Sequence, residues 1–251
     1  MISVTVLTKN SQKYLSKVLE GLQAFDEVVV YDTGSTDATF DIAKQFPNVS
    51  LHTGTFIGFG PTHNVASSLA KNDWILSIDS DEMVTPAMAE EILSTPLHKN
   101  TVYAFPRDNI FNGRVIRWCG WYPDRQYRLY NRNKTRFSDA QVHEQIITDG
   151  LEIVQMQQPF MHYSYDSISD FLTKMQLYSD LFAQQNAGKR KASLTTALGH
   201  ALFTFFKSYV LKKGILGGYE GFVISAYNGH TAFYKYLKLR EANAKLKNKD
   251  F

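Results

Sequence analysis

Three short polar segments in the first third of the chain carry side chains suited to binding a metal ion or a nucleotide. Asp79 and Asp81 flank one serine directly after an apolar run, so two carboxylates stand close together. Neighbouring anions repel each other, and a hard divalent ion with oxygen ligands, Mg²⁺ or Mn²⁺, relieves that repulsion. Such an ion keeps coordination positions open for phosphate oxygens. The alternative interpretation is that one aspartate only caps the following turn.

The other two segments offer hydrogen-bonding groups for a ligand. Thr8 and Asn10 follow the first apolar run, and Asp32 follows the second, just before a tight turn that Gly34 permits. Residues 35–37 can cap the next helix, but capping does not account for Asp32, which we interpret as an acceptor for a ligand N–H. The sequence contains neither a Walker phosphate loop nor a complete dinucleotide-binding glycine pattern.

Apolar runs that alternate with segments of helical period predict the elements that hold these three segments. The buried strands are expected at residues 2–7, 27–31, 49–52 and 74–78. The helices between them are predicted from three apolar faces: Tyr14, Leu15, Val18, Leu19 and Leu22; Ile42, Ala43 and Phe46; Val65 and Leu69. This order implies a parallel sheet covered by helices, with the ligand beyond the carboxyl ends of the strands.

The rest of the chain predicts a different architecture. Thr85 and Pro86 supply the N-cap and the first turn of one more helix, and helical period dominates from residue 167 onward. The glycines of residues 214–221 predict a loop or hinge. Further strands, antiparallel or mixed, are expected at residues 102–106, 126–131 and 141–147.

Composition excludes several classes of protein. The 251 residues are 44% hydrophobic and 20% charged, which excludes intrinsic disorder, and the single cysteine excludes a disulfide framework. The first residues show no signal-peptide pattern, and the most apolar stretch, residues 197–211, contains a histidine and a lysine. We therefore expect a protein of a reducing compartment without a transmembrane segment.

The net charge of +3 is the sum of two opposite parts. Residues 189–251 contain 12 Lys+Arg and 3 Asp+Glu, a net charge of +9, and the remainder carries −6. A cationic, aromatic-rich end on an acidic body suggests an anionic partner such as a phospholipid leaflet or a nucleic acid. Solvated lysines on ordinary helices, or aromatic residues in a dimer interface, are the alternatives.

The chain resembles family 2 glycosyltransferases of the GT-A fold. The motifs that carry the resemblance are Ser3 to Asn10, Val29 to Asp37 and Ile78 to Glu82. Three later motifs are similar to the subgroup that contains the bacterial lipopolysaccharide-core β-1,4-glucosyltransferases: Trp121 to Arg132, Val142 to Glu144 and His162 to Tyr165. The resemblance implies an α/β fold with a Rossmann-like, mostly parallel sheet over residues 1–165, and a basic, mainly helical region over residues 166–251.

The resemblance also implies roles for the polar segments. Thr8, Asn10 and Asp32 would hold the nucleotide base, Asp79 the ribose and Asp81 the divalent ion. His162 would add a further metal ligand, as a late histidine does in several GT-A enzymes, although a histidine beside aromatic residues is more often structural.

Inverting transfer, the stereochemistry expected of this family, needs a base for the acceptor hydroxyl and positive charge for the departing diphosphate. Glu144 is the first candidate for the base and Asp124 its rival. Arg125 and Arg128 are the candidates for the diphosphate, with Arg132 a weaker one.

The resemblance thus implies a metal-dependent hexosyltransferase that uses a UDP-sugar, with glucose as the first candidate. The predicted acceptor is an anionic, lipid-linked oligosaccharide of the lipopolysaccharide-core type at the inner face of the cytoplasmic membrane, with peripheral membrane contact and no nucleic-acid partner. A metal-dependent nucleotidyltransferase and a non-catalytic nucleic-acid-binding module are the alternatives. A nucleotidyltransferase usually needs a glycine- and lysine-rich loop for the triphosphate, which this chain does not have. A nucleic-acid-binding module would leave the polar segments at the strand ends unexplained.

Overall fold

A computed structural model of the chain describes residues 1–140 and 144–247. The chain forms two compact units: a first unit of residues 1–108 and 124–162, and a second unit of residues 109–123 and 163 onward. The strands and helices, labelled in chain order, are β1 Ile2–Thr8, α1 Leu15–Glu20, β2 Glu27–Asp32, α2 Thr39–Ala43, β3 Val49–Thr53, α3 Phe59–Ser68, β4 Trp74–Asp79, β5 Glu82–Met83, α4 Pro86–Ser94, β6 Thr101–Phe111, β7 Arg114–Val115, β8 Arg125–Asn131, β9 Glu152–Gln155, β10 Phe160–Tyr165, α5 Ile168–Asn186, α6 Leu194–Phe206 and α7 Gly218–Lys247.

Parallel strands form the centre of the first unit. β1 lies between β2 and β4, and β3 pairs with β2, all in parallel. The register sets Thr8 beside Asp32 and Leu7 beside Asp79. The three polar segments therefore lie at one edge of the sheet, and the predicted α/β fold with a mostly parallel sheet and flanking helices is confirmed.

Antiparallel strands extend this sheet. β8 pairs with β4 and with β6, which confirms the strands predicted at residues 102–106 and 126–131. The strand predicted at residues 141–147 is not confirmed: residues 141–143 lie outside the described residues, and the remainder forms one bridge, from Ile146 to Phe137. A short antiparallel pairing of β5 with β10 sets His162 beside Glu82.

Helices α1 and α4 form as their sequences predict. The apolar face of α1 is buried through Leu15, Val18 and Leu19 in the main core of the first unit. The Thr85 hydroxyl accepts a hydrogen bond from the Met88 amide at 3.2 Å, and a proline follows it at the first helical position. Both helices are therefore specified locally, one by its apolar spacing and one by its cap.

The buried face predicted for α3 is wrong. Leu69, just past its end, is exposed, and the buried side chains include Thr62, His63, Ala66 and Ser67. The Ser67 hydroxyl is 2.7 Å from the Tyr130 hydroxyl, and His63 Nδ1 is 3.2 Å from the Ser77 hydroxyl. Small and polar side chains face the sheet because the sheet offers them hydrogen-bond partners there.

The second unit is mainly helical, as predicted. A capping box of Ser167 and Asp170 begins α5, and Phe171 on its first turns stacks on Tyr165 with ring centroids 4.0 Å apart. Trp121 and Tyr227 extend this aromatic cluster. Among the described helices, none is both long enough and apolar enough to cross a bilayer.

The loop or hinge predicted at residues 214–221 is wrong. Gly214–Gly217 form a 3₁₀ turn, and α7 begins at Gly218. A Cβ atom added to Gly221 would lie 1.9 Å from the Gly214 carbonyl oxygen, and one added to Gly217 would lie 2.0 Å from Trp118 Nε1. These glycines allow close packing of the backbone in the second unit, which is why the segment is ordered.

A pair of glycine substitutions tests this packing. Gly221→Ala should lower the free energy of unfolding by about 1–3 kcal/mol, because the Gly214 carbonyl belongs to the backbone and cannot rotate away. The matched control is Gly199→Ala in α6, where an added Cβ has no neighbour within 4 Å, so the substitution should stabilise the helix by about 0.5–1 kcal/mol. Urea unfolding followed by circular dichroism measures both changes. Equal effects of the two substitutions would contradict the close approach at Gly221.

Candidate active site

A buried guanidinium organises the end of β4. Nη2 of Arg128 donates to Asp79 Oδ2 at 2.8 Å and also to Glu82 Oε1. Glu82 is fully buried, and its Oε2 accepts a hydrogen bond from the Asp79 amide at 3.1 Å. The ring of Phe160 lies beneath the guanidinium, 5.5 Å from its central carbon. One arginine therefore fixes two carboxylates at the end of the strand.

These charges shift the pKa values of the two carboxyl groups in opposite directions. Burial raises the pKa of Glu82, and the charge of Asp79 raises it further, against the lowering effect of Arg128. Burial also opposes ionisation of Asp79, but the charge of Arg128, with smaller contributions from two histidines, holds the pKa of Asp79 below its usual value. Asp79 therefore ionises at a lower pH than Glu82 does. The Nε atom of Arg128 is buried and has no hydrogen-bond partner in the described part of the chain.

The loop after β2 closes around the Asp32 carboxylate. Oδ1 accepts hydrogen bonds from the amides of Gly34 and Ser35, at 2.9 and 2.8 Å. Oδ2 accepts from the hydroxyls of Thr8, at 2.9 Å, and of Ser35. Burial works against the charged carboxylate, yet these hydrogen bonds together lower the pKa of Asp32. The carboxylate thereby joins the ends of β1 and β2.

Asn10 joins the same two loops from the other side. Its backbone is left-handed, with φ 52°, and its amide donates to the Ser35 hydroxyl at 2.8 Å. Its side-chain Oδ1 accepts from the Thr36 amide at 2.8 Å. The side chain of Asn10 is exposed beyond the sheet edge, so the loops present one continuous polar surface there.

Asp81 lies close to His162. The Asp81 Oδ2 and His162 Nε2 atoms are 3.6 Å apart, and the Asp81 side chain is 39% exposed. The antiparallel pairing of β5 with β10 positions the histidine. Among the described residues, no group of three or more His, Cys, Asp and Glu side chains is arranged to hold a metal ion.

A cavity of about 230 Å³ lies beside the Asp79–Arg128 pair. Glu144 and Arg125 also line it, and so does Arg107, which the sequence analysis did not single out. Glu144 Oε1 is 4.0 Å from His63 Nε2, which is also 4.0 Å from Asp79 Oδ1. The cavity thus contains two carboxylates and three guanidinium groups.

The rival carboxylate, Asp124, is held by its neighbours. Its Oδ2 accepts from Arg107 Nε at 2.7 Å, and its Oδ1 accepts from Gln126 Nε2 at 2.8 Å. Both oxygens of Asp124 are therefore engaged by nitrogen donors, and one of these donors is charged.

The three candidate arginines have different surroundings. Arg125 is exposed, and its Nη1 donates to the Met156 carbonyl at 3.0 Å. Arg128 is buried, as described above. Nη1 of Arg132 donates to the carbonyl oxygens of Ser67 and Ala70, at 2.8 and 2.7 Å, where α3 ends. Arg132 therefore satisfies helix-end carbonyls, and its weaker candidacy for the diphosphate is not supported.

His63 is a candidate site residue that the sequence motifs do not indicate. It is almost completely buried and stacks on Phe137, with ring centroids 4.4 Å apart. Burial lowers its pKa to about 4, against the opposing charge of Asp79. A neutral imidazole therefore stands between Asp79 and Glu144. The only local signal was a run of polar residues at helical spacing, which does not distinguish a site from a hydrogen-bonded core.

The buried histidine predicts how stability depends on pH. Its pKa is about 4 in the folded protein against 6.5 for an ordinary histidine, so between these pH values the unfolded chain binds more protons. Lowering the pH from 6.5 to 4 should therefore remove about 3 kcal/mol of the free energy of unfolding through this group alone. His63→Gln should flatten that dependence, whereas His98→Gln, at an exposed position, should not. Urea titrations at several pH values measure it, and an unchanged slope in His63→Gln would contradict the assignment.

The parallel sheet with its flanking helices is a fold of the GT-A type. Among solved structures, the mannosyltransferase PcManGT from Pyrobaculum calidifontis, in complex with GDP-Man and Mn²⁺, is similar with a TM-score of 0.54 and 14% identity. The match covers 95% of this chain and 86% of that chain. The family model described as glycosyl transferase family 2 matches residues 3–149. The chain belongs to this family and is a nucleotide-sugar-dependent glycosyltransferase.

Relatives of similar length support this assignment. An uncharacterized glycosyltransferase of Rickettsia felis is 27% identical over 271 residues, which cover 98% of this chain and 92% of the relative. The lipopolysaccharide core biosynthesis glycosyltransferase LpsC of Rhizobium meliloti is 26% identical over 255 residues, covering 92% of this chain and 90% of the relative. The similarity therefore extends through both units of the chain.

Proposed function

We propose that this enzyme transfers a hexose, with glucose as the first candidate, from a UDP-sugar to a lipopolysaccharide-core or related lipid-linked oligosaccharide. The observation that carries the proposal is the cavity in which Glu144 lies beside the Asp79–Arg128 pair, at the edge where the polar loops of β1 and β2 end. The lipopolysaccharide core transferase among the relatives and the motifs of the chain support the acceptor class.

The nucleotide base is proposed to bind at the paired loops of β1 and β2. Thr8, Asn10 and Asp32 lie there, and a base N–H would take the place of the Ser35 hydroxyl on the Asp32 carboxylate. Asp79 is proposed to accept from a ribose hydroxyl, because its side chain is 39% exposed and only its Oδ2 bonds to Arg128.

Asp81 and His162 are proposed to hold a divalent ion, Mn²⁺ or Mg²⁺. A carboxylate oxygen and an imidazole nitrogen 3.6 Å apart are a donor pair that Mn²⁺ accepts. Ions of this type are commonly bound by one or two protein side chains, with the remaining positions left to substrate phosphates and water. When bound, the ion supplies positive charge to the diphosphate. Arg125 is proposed to contact the diphosphate directly, and Arg128 to add charge from its buried position.

Glu144 is proposed to accept the proton of the acceptor hydroxyl. Its side chain is 22% exposed and lines the cavity, whereas both oxygens of Asp124 accept hydrogen bonds from nitrogen donors. To accept a proton, Asp124 would have to break its charged hydrogen bond from Arg107. The position of Glu144 in the cavity beside the Asp79–Arg128 pair supports it as the first candidate for the base.

A panel of nucleotide sugars tests the donor. Hydrolysis and transfer are measured with UDP-, GDP- and CMP-sugars, each with Mn²⁺ and with a chelator. We expect a preference for one UDP-hexose and a loss of turnover with the chelator. Preference for a GDP- or CMP-sugar would overturn the donor assignment, and full turnover with the chelator would overturn the metal assignment. Family membership would stand in either case.

A further inference from the structure

The second unit exposes a continuous apolar stripe. Five large apolar residues, spaced four apart, are exposed along α6 and the π-helical turn that follows it. Their exposed fractions lie between 46% and 71%: Leu194, Leu198, Leu202, Phe206 and Val210. Residues four apart lie on one side of a helix. We call these five residues the apolar ridge.

The opposite face of α6 already packs against α7. Ala197 is fully buried, and a Cβ added to Gly229 would lie 3.2 Å from the Ala201 carbonyl oxygen and from Phe205 Cβ. His200 stacks on Tyr236 with ring centroids 4.1 Å apart. The ridge is thus a second apolar face, in addition to the one that holds α6 in the protein. A helix with apolar residues on two faces is normally covered by protein or lipid on both of them.

The segment after the ridge extends the exposed apolar surface. Leu211, Ile215, Leu216 and Tyr219 are exposed by 57–71%. Phe222 of α7, which is 51% exposed, lies beside Tyr209, with ring centroids 6.0 Å apart. An exposed surface built from so many large apolar residues exceeds the isolated exposed side chains of an ordinary monomer.

The charge around this surface has one sign. Residues 189–219 contain six Lys and Arg and no Asp or Glu. Lys207, Lys212 and Lys213 are exposed among the apolar residues. The next acidic side chain, Glu220, is buried and bonds to Arg114 at 2.8 Å. Residues 189–219 therefore contribute cations and no anion to this surface.

We propose that the apolar ridge and these three lysines dock the protein onto an anionic phospholipid leaflet. Apolar side chains enter the acyl boundary, and lysines at the same face pair with lipid phosphates, which is how interfacial helices bind. A second copy of the chain fits less well, because a symmetric contact of two ridges would bring like charges together. Nucleic acid also fits less well, since the ridge is mainly aliphatic and bases stack on aromatic rings.

Co-sedimentation with vesicles tests the proposal. The full chain should bind vesicles of equal parts phosphatidylglycerol and phosphatidylcholine, and bind phosphatidylcholine alone much more weakly. Changing Lys207, Lys212 and Lys213 to Glu should lower the partition coefficient at least about a hundredfold, since each lysine near an anionic surface contributes about fivefold and each glutamate adds repulsion. The matched control changes Lys17, Lys44 and Lys99 to Glu, which alters the net charge equally in the first unit. It should leave most of the binding intact.

A second pair of variants isolates the apolar contribution. Leu202→Asn with Leu216→Asn removes the two ridge-side leucines that are 71% exposed, and should abolish the binding that survives moderate salt. Leu93→Asn with Leu177→Asn, at positions exposed by 52% and 54%, is the control and should bind as the wild type does. Circular dichroism confirms folding of each variant. No vesicle binding by the wild type, or equal binding by ridge and control variants, would overturn the proposal. A dimer that the Leu202/Leu216 variant dissociates, without vesicle binding, would assign the ridge to a second copy of the chain.

Discussion

Replacing Glu144 with glutamine is expected to lower sugar transfer by about 10²–10⁴-fold, the usual contribution of a general base. Glutamine keeps the size and hydrogen bonding of the side chain but accepts no proton. The affinity for the UDP-sugar should change little, because Glu144 is proposed to act on the acceptor. Steady-state kinetics at saturating donor, together with calorimetric titration of the donor, measure the two quantities separately.

Asp124→Asn is the matched comparison. This change should be milder for transfer, because the carboxylate of Asp124 is engaged by Arg107 and Gln126. It should also loosen Arg107 and thus lower stability, which Glu144→Gln should not do. If Asp124→Asn abolished transfer at saturating donor and Glu144→Gln preserved it, the role of base would pass to Asp124.

Replacing Asp81 with alanine is expected to remove metal-dependent donor binding and nearly all turnover. Asp81 is half-exposed near the end of the sheet and contributes no buried hydrophobic surface, so the fold should persist. Calorimetry should show that Mn²⁺ strengthens UDP binding in the wild type and not in the variant. His162→Gln should weaken Mn²⁺ binding less, because an amide oxygen can still coordinate the ion.

Asp41→Asn, on an exposed face of α2, is the control for loss of one negative charge. It should retain the effect of Mn²⁺. Full activity of the Asp81 variant in the presence of chelator would contradict both the metal dependence of transfer and the role of Asp81 as a metal ligand.

Local patterns were sufficient to predict the strands that carry the site. β1, β2 and β4 are short apolar runs, and the parallel pairing that follows from them sets Thr8 beside Asp32. The same logic predicted that Asp79 lies at that edge. These features depend on neighbours in sequence, or on the one rule that parallel strands end together.

Features that depend on distant residues were not predictable in this way. The polar face of α3 is buried because Ser77 and Tyr130 offer partners to His63 and Ser67. Arg107 became visible as a candidate site residue through the cavity that it lines and its contact with Asp124. The glycines of residues 214–221 suggested a hinge, since composition does not show that another backbone lies against them. In each case the deciding partner lies outside the local sequence pattern.

The nucleotide base is proposed to bind at the loops of β1 and β2, and the reciprocal hydrogen bonds between these loops limit how such a site can be re-engineered. The Asn10 amide donates to the Ser35 hydroxyl, and the Asn10 side chain accepts from the Thr36 amide. The Asp32 carboxylate accepts from the hydroxyls of Thr8 and Ser35, one from each loop. A chimera that takes only one of the two loops from a relative would leave the other loop without its hydrogen-bond partners. Residues 8–12 and 32–39 should therefore be exchanged together. Variant libraries that seek an altered nucleotide preference should vary both loops at once.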